Sequence, residues 1–358
     1  SRGPRCVLPN PTQLLAVEEP MATWPLSVGL CVFVGSALLT GILGVRLSRA
    51  GDELADRTGL GEAVFGSVFF GAVISLSGIV MTATAAAEGH TSLAYSNAVG
   101  GIAAQILALA VADVAYRKAN LEHAAASMPN AVFAVLLGCL LCIALLGSLS
   151  PDITLWGIHP ASFALIGAYA FGVQLVRRVQ GDPQWHPKLT KETVQDAPEA
   201  GSGRSSLRLW TDFALSGLVV AGAGWGIARA AASIVEHLGL EASFVGAVLM
   251  GLVNALPEAV TAVAAVRTGA VTLAVGGVMG GNTFDVLNLA IGDLAYREGS
   301  LFHAAKPDDL FVTVTGLLMT LILLGGLLRR ERKGPLGIGF EGVALAFVFG
   351  AMVLVTLL

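Results

Sequence analysis

Asn254-Ala255-Leu256-Pro257-Glu258, about twenty small and apolar residues, then Gly280-Gly281-Asn282-Thr283-Phe284-Asp285: this stretch decides how the chain is read. A proline, two carboxylates, two asparagines and a glycine cluster sit inside sequence that otherwise reads as membrane span. A carboxylate at the bilayer centre costs roughly 2.5–3.5 kcal/mol on insertion scales, so it marks a functional site by default. Pro257 removes a backbone donor and opens the helix beside Glu258. Broken helices with freed carbonyls next to an acidic side chain are how transporters build cation sites at the membrane midplane.

Composition agrees with a membrane reading. The chain has 358 residues, a mean hydropathy of +0.75 and 13% charged residues, where a soluble protein carries roughly 25%. Apolar runs long enough to cross a hydrocarbon core of about 30 Å recur along its length. The alternation expected of barrel strands is absent. The expectation is therefore an all-α integral membrane protein. Its net charge of -4 says little, because in a membrane protein placement outweighs the sum. Cys6, Cys31, Cys139 and Cys142 make no disulfide framework. Cys139 and Cys142, three apart in an apolar helix, read as small packing residues, with a metal or redox pair as the alternative. The six histidines lack ligand spacing. No basic patch suggests nucleic acid, and no protein partner is identifiable. The partners expected are the lipid bilayer and small cations.

Residues 1–23 read as an N-terminal extension expected to be disordered, without the basic-then-apolar layout of a signal peptide. Ten spans follow, at roughly 24–47, 62–87, 91–115, 128–150, 155–178, 211–235, 242–266, 270–295, 308–329 and 335–358. Between the fifth and sixth lies a polar stretch, 179–209, with Pro183, Pro187, Pro198, Gly201 and Gly203, read as a flexible linker. It is too short to hold a core of its own.

An offset of 180 residues lays the second half on the first without a gap. From Gly59/Gly239 to Ala125/Ala305, about 25 of 67 positions are identical. Gly100-Gly101 falls on Gly280-Gly281, and Asp113-Val114-Ala115-Tyr116-Arg117 on Asp293-Leu294-Ala295-Tyr296-Arg297. The same offset lays span one on span six and span five on span ten. The expected architecture is ten transmembrane helices in two five-helix repeats, 24–178 and 210–358. Five is odd, so the repeats must insert with opposite topology. Assigning basic residues to alternating loops puts Arg2, Arg5, Arg229, Arg297 and Lys306 on one side and the remaining sixteen of 21 on the other. By the positive-inside rule the second side is cytoplasmic, so the linker is inside and both termini outside a plasma (inner) membrane.

With these motifs the chain resembles the Ca²⁺/cation antiporter superfamily, the sodium/calcium exchangers and their relatives, from about residue 24 onward. The resemblance implies ten helices in two inverted repeats, each with a Thr-Ser-x-Pro-Glu-like motif and a Gly-Ser-Asn-x-x-(Asn/Asp) motif. It implies that Glu258 is the coordinating glutamate and Asp285 the ligand closing the second motif, so that these two would hold the metal ion. In the first repeat the matching stretches are Ile74-Ser75-Leu76-Ser77-Gly78 and Gly100-Gly101-Ile102-Ala103-Ala104-Gln105. Ser75 stands where a serine ligand is implied and Gln105 where an amide ligand is. Gly78 replaces the partner glutamate. Gly101, Gly281 and Ala255 replace family serines.

Two carboxylates neutralise one Ca²⁺, which wants six to eight oxygens, or two Na⁺ or protons. Ser75, Ser77, Asn254, Asn282 and Gln105 are candidate neutral ligands, interhelical hydrogen bonding being the competing account. Asn97 reads as packing. Asp113 and Asp293 read as i,i+4 partners of Arg117 and Arg297 at helix ends. Glu62 and Glu88 read as solvated, and Gly277/Gly281 as a close helix contact. The expected function is antiport of Ca²⁺ or a similar cation against Na⁺ or H⁺ by alternating access. The resemblance implies that spans one and six slide across the other eight. Two alternatives stay open: a Na⁺/H⁺-type exchanger that does not carry Ca²⁺, and a non-transporting membrane sensor or scaffold. No covalent chemistry and no cofactor are expected, so the chain reads as a transporter and not an enzyme.

Overall fold

A computed structural model describes residues 23–58, 72–73, 75–116, 119–181, 205–269, 271–331 and 339–358. Nearly all of the N-terminal extension, most of the linker and the first part of the second span lie outside them. The described chain is helical; its one β-type contact is an isolated bridge between Leu155 and Ile158. In order the helices are α1 (Leu26–Thr58), α2 (Leu76–Ala87), α3 (Thr91–Ala115), α4 (Leu121–Ala124), α5 (Met128–Leu149), α6 (Pro160–Gly181) and α7 (Ser206–Leu238). A short α8 (Ala242–Phe244) leads through a π-helical turn, Val245–Met250, into α9 (Gly251–Thr268). Then come α10 (Val271–Asp285), α11 (Leu287–Ala295), α12 (Pro307–Arg329) and α13 (Phe340–Leu357).

Among the described residues seven helical stretches are long and apolar enough to cross a membrane. Their outer faces carry side chains such as Leu38, Leu146 and Phe347, all exposed, which a bilayer solvates at no cost. Cys31, Cys139 and Cys142 are also exposed. That corrects the packing role expected of the last two: both lie on the outer face of α5, where thiols meet lipid as small hydrophobes.

The bundle is organised around α3. Of its most apolar window 83% is buried, against 17% for α1. Small residues make this possible. A side chain at Gly100 would run into the backbone of Ala247, and one at Gly251 would come within 2.9 Å of the Gly100 carbonyl carbon. The close helix contact is therefore here, between α3 and the π turn and α9. The spacing of Gly277 and Gly281 suggested it elsewhere, but nothing lies within 4 Å of a side chain placed at Gly277.

α1 and α7 run antiparallel along one flank. The Trp24 amide donates to Ser233 Oγ (3.1 Å) at one end, and Leu54 packs on Leu209 at the other. Arg229 of α7 pairs with Glu88 (2.9 Å) beyond the end of α2, with its guanidinium near the Trp24 and Trp225 rings. Glu88 is thus half of an ion pair and not simply solvated. Asp293 also differs from expectation, whereas Arg117, the expected partner of Asp113, lies outside the described residues. Asp293 accepts from the Leu301 and His159 amides (2.9 and 2.7 Å) and from Ser162 Oγ, while Asp113 accepts from the Leu121 and Gly339 amides (2.6 and 3.3 Å). A buried carboxylate gains more from backbone N–H groups that need an acceptor than from a solvated arginine.

Candidate cation site

Three departures from regular helix converge on the central stretch. The π turn widens the approach to α9. Pro257 then withholds its N–H, and Thr261 Oγ folds back to donate to the Pro257 and Glu258 carbonyls (3.0 Å each), a contact that bends helices. Finally α10 stops at Asp285 and α11 begins at Leu287, with Val286 between. The register that is broken here runs unbroken through Gln105 in α3. Glu258 and Asp285 therefore stand at the two points where the backbone opens.

Both are buried, Glu258 at 5% exposure and Asp285 at 0%, and they lie within electrostatic range of each other. Asp285 Oδ2 accepts from Gln105 Nε2 at 2.6 Å, and Oδ1 more weakly from Asn288 Nδ2 at 3.4 Å. Ser75 Oγ, just ahead of α2, points at the same carboxylate without closing a hydrogen bond. Five elements, α3, α9, α10, α11 and the start of α2, thus bring oxygens to one place. Glu258 Oε1 and Oε2, Gln105 Oε1, Asn288 Oδ1 and Ser75 Oγ are all buried without a hydrogen-bond partner. An unsatisfied buried polar group costs about 1–3 kcal/mol, and a charged one more. As placed, no three His, Cys, Asp or Glu side chains among the described residues converge as a ready-made metal cage. The acceptors that converge are two acids with amides and a hydroxyl, a donor set suited to a hard cation.

Ser77 and Asn254 pair with each other. Ser77 Oγ donates to Asn254 Oδ1 (3.2 Å), and the Asn254 amide is wedged between two glycines. A Cβ at Gly78 would lie 2.6 Å from Asn254 Oδ1, and one at Gly101 would lie 2.8 Å from its Nδ2. Asn254 occupies the space into which a side chain at 78 would grow. Asn282 is fully buried, with neither amide atom partnered. Asn97, read as packing, donates to Thr82 Oγ1 (2.9 Å) and to the Gly78 carbonyl (3.4 Å). Asn288 was missed by sequence reasoning, although its spacing of three from Asp285 could have found it. The helix α1 leans on the site through Gly41 against Leu256 and Gly44 against Pro257.

Buried acids and unpaired amide oxygens inside a membrane bundle are the chemistry of a cation-handling membrane protein. Within that class the chain belongs to the sodium/calcium exchanger protein family, whose model matches residues 28–176 and 209–358. It is 26% identical over 326 residues to the "Putative antiporter CaxA" of Alkalimonas amylolytica, covering 87% of this chain and 93% of that relative. Its fold is similar to native YfkE (TM-score 0.65, 15% identity, 93% of each chain). It is also similar to the H⁺/Ca²⁺ exchanger CAX (0.66, 12% identity, 92% of this chain and 86% of that one). The sodium-calcium exchanger NCX_Mj matches at 0.58 with 16% identity, over 92% and 99% of the two chains.

Proposed function

We propose that this protein is a secondary active antiporter that exchanges Ca²⁺ or a similar cation against Na⁺ or H⁺ at a site built on Glu258 and Asp285. The observation that carries the reading is Glu258: buried beside a second acid, with no donor on either oxygen. Two carboxylates are neutralised by one divalent ion, or by two sodium ions or protons, so the competing ions occupy the site in turn. Gln105 and Asn288 orient Asp285 and offer their free carbonyl oxygens, and Ser75 adds a hydroxyl. Asn254 and Ser77 shape the wall, and Asn282 is a further neutral donor. The architecture proposed is ten crossings in two inverted five-helix repeats, supported by the 180-residue offset and by a family match in each half. The antiparallel pair α1 and α7 would slide against the rest, the glycines at 41 and 44 giving α1 a smooth track past Pro257. The linker would be cytoplasmic in an inner membrane.

A second reading, monovalent exchange of Na⁺ against H⁺ without Ca²⁺, is favoured by Gly78, where a second glutamate is replaced and Asn254 fills the room. Reconstituted vesicles separate the two. Ca²⁺ uptake driven by an outward Na⁺ or H⁺ gradient, lost in Glu258→Gln, supports the first. Sodium-driven pH change with no Ca²⁺ uptake supports the second. No cation flux of either kind would overturn both and leave a sensor or scaffold.

A further inference from the structure

The bundle has a second place where acids are buried without partners, far along α3 from the central site. It lies on the face where α6 ends and α7 begins, between the end of α3, the short α4 and the start of α13. Glu122 of α4 and Glu341 of α13 are 1% and 0% exposed, and none of their four carboxylate oxygens has a hydrogen-bond partner. Glu341, Asp113 and Glu122 are in electrostatic range of one another. Two glycines make room for Glu341: a side chain at Gly326 or at Gly339 would collide with its carboxylate arm.

Among the described residues neither Arg329 nor Arg330 hydrogen-bonds the Glu122 or Glu341 carboxylate, while Arg117, Lys118, Arg332 and Lys333 lie outside the described residues. Arg329, although in electrostatic range of Glu341, lies over the Phe340 ring at 4.8 Å and 3.9 Å from Glu331 Oε1. Arg330 reaches the His123 carbonyl at 3.5 Å, and its own carbonyl meets His123 Nδ1 at 2.7 Å. The two caps on Asp113 come from backbone amides.

The chain carries its own control. The 180-residue offset lays Asp113 on Asp293, Leu121 on Leu301 and Gly339 on His159. Asp293 caps the Leu301 and His159 amides just as Asp113 caps those of Leu121 and Gly339. At that matching corner the counterparts of Glu122 and Glu341 are Phe302 and Ala161, packed against Gly147. The same backbone arrangement is therefore satisfied by apolar side chains. Two buried acids are not a requirement of the fold, and unpaired they oppose it.

We propose that Glu122 and Glu341, drawn together beside Asp113 by the ion and not preformed as a cage, form a second cation site that takes a hard divalent ion such as Ca²⁺, separate from the central site. Four unpartnered carboxylate oxygens supply half or more of the six to eight that Ca²⁺ takes, water completing the shell. A bound ion would draw α4 onto the start of α13 and so tie the end of α3, which also carries Gln105, to the neighbouring helix. The inference does not depend on what the central site transports.

The test is equilibrium binding of radioactive Ca²⁺ to the purified full chain in the Glu258→Gln/Asp285→Asn background, which disables the central carboxylates. About one Ca²⁺ per chain is expected to remain. It should vanish when Glu122→Gln and Glu341→Gln are added. Glu122→Phe with Glu341→Ala, which copies the packing of the opposite corner, should fold equally well and also bind none. Absence of Ca²⁺ binding in the central-site variant at alkaline pH would overturn the proposal, as would binding that survives either pair of substitutions. Transport failing in the unaltered chain while this binding persists in the central-site variant would count against the proposed antiport alone.

Discussion

The wedge formed by Asn254 makes a sharp prediction about Gly78→Ala. The added methyl would stand 2.6 Å from Asn254 Oδ1, 2.9 Å from Nδ2 and 3.0 Å from Cγ. The amide cannot swing freely, because Gly101 closes its other side at a Cβ distance of 2.8 Å and Ser77 Oγ holds its oxygen. Overpacking of this kind costs about 1–3 kcal/mol. Asn254→Ala alone should cost a comparable amount, through the lost hydrogen bond of about 0.5–1.5 kcal/mol and the stranded Ser77 hydroxyl.

The double variant should cost less than the sum, because the methyl at 78 then enters space the amide has left. Coupling between such neighbours runs about 0.5–3 kcal/mol. Thermal unfolding of the detergent-purified protein reads this as a few degrees, with all four forms in the same detergent and cation. Additive penalties, equal within about 0.5 kcal/mol in the two backgrounds, would show that Asn254 does not fill the place of a residue-78 side chain. If the coupling is found, Gly78→Glu with Asn254→Ser should be tolerated where Gly78→Glu alone is not. It should also raise the stabilisation conferred by saturating Ca²⁺, since a third carboxylate then faces the ion.

Three further outcomes are expected. In a Glu122→Gln/Glu341→Gln background, Asp285→Asn keeps an acceptor for Gln105 Nε2 and should fold, yet lose the stabilisation by Ca²⁺ expected of the chain with Asp285 intact; retained stabilisation in a thermal-shift assay would move the ion elsewhere. Glu88→Gln should lower stability by about 1–3 kcal/mol, because it leaves the half-buried Arg229 guanidinium without its counter-charge, and a double-mutant cycle with Arg229→Gln should show that loss shared between the partners. Burial, with Asp113 and Glu341 as like charges nearby, pushes the Glu122 carboxyl from 4.5 up to about 8. With divalent ions chelated, the unfolded chain loses this proton above 4.5 while the folded chain keeps it to about 8. This acid should therefore lower stability between those values by up to about 1.4 kcal/mol per pH unit; Glu122→Gln should remove that share of the slope, and an unchanged slope would contradict the burial of this acid.

Much of the site could be read before any coordinates. Pro257 beside Glu258, and Asp285 after a glycine pair, are conspicuous because lipid-spanning sequence excludes such residues unless they have a task. The rest depended on tertiary approach. Whether Asn254 ligates or packs turns on a contact with Gly78, 176 positions away in the chain and invisible to local pattern. The π turn ahead of α9 has no side-chain signature; it is a consequence of how closely Ala247 meets Gly100. Glu122 and Glu341 stood at span edges, where an acid normally meets water, so only burial reveals them. Asp293 was read with its nearest arginine because helix spacing suggests it, while the folded chain offered amides instead.

The break at Val286 ties the acids to the ion more firmly than composition does. Around Val286 the helical bonding loosens: the Val286 amide reaches the Asn282 carbonyl at a long 3.3 Å and the Leu289 amide turns to the Val286 carbonyl at 3.1 Å, so the carbonyls of this turn keep part of the negative end of the helix dipole. Asp285 is the final residue of that helix, the position least favourable for an anion. Glu258 faces it from the kinked α9 and adds a second negative charge when ionised. Each element raises the cost of the others in an empty bundle, and a sequence free to choose would replace them with leucine. A cation reverses every sign at once: the helix end, both carboxylates and the unpaired amide oxygens become ligands or partners. In the first half the same register runs unbroken through Gln105, an amide and not an acid, so only one end of the site needs charge compensation. The asymmetry between the halves thus predicts a site whose affinity is set almost wholly by the second. Substitutions at Ser75 or Gln105 should then weaken cation binding at this site by no more than about tenfold, roughly 1.4 kcal/mol, while loss of Glu258 or Asp285 removes binding here.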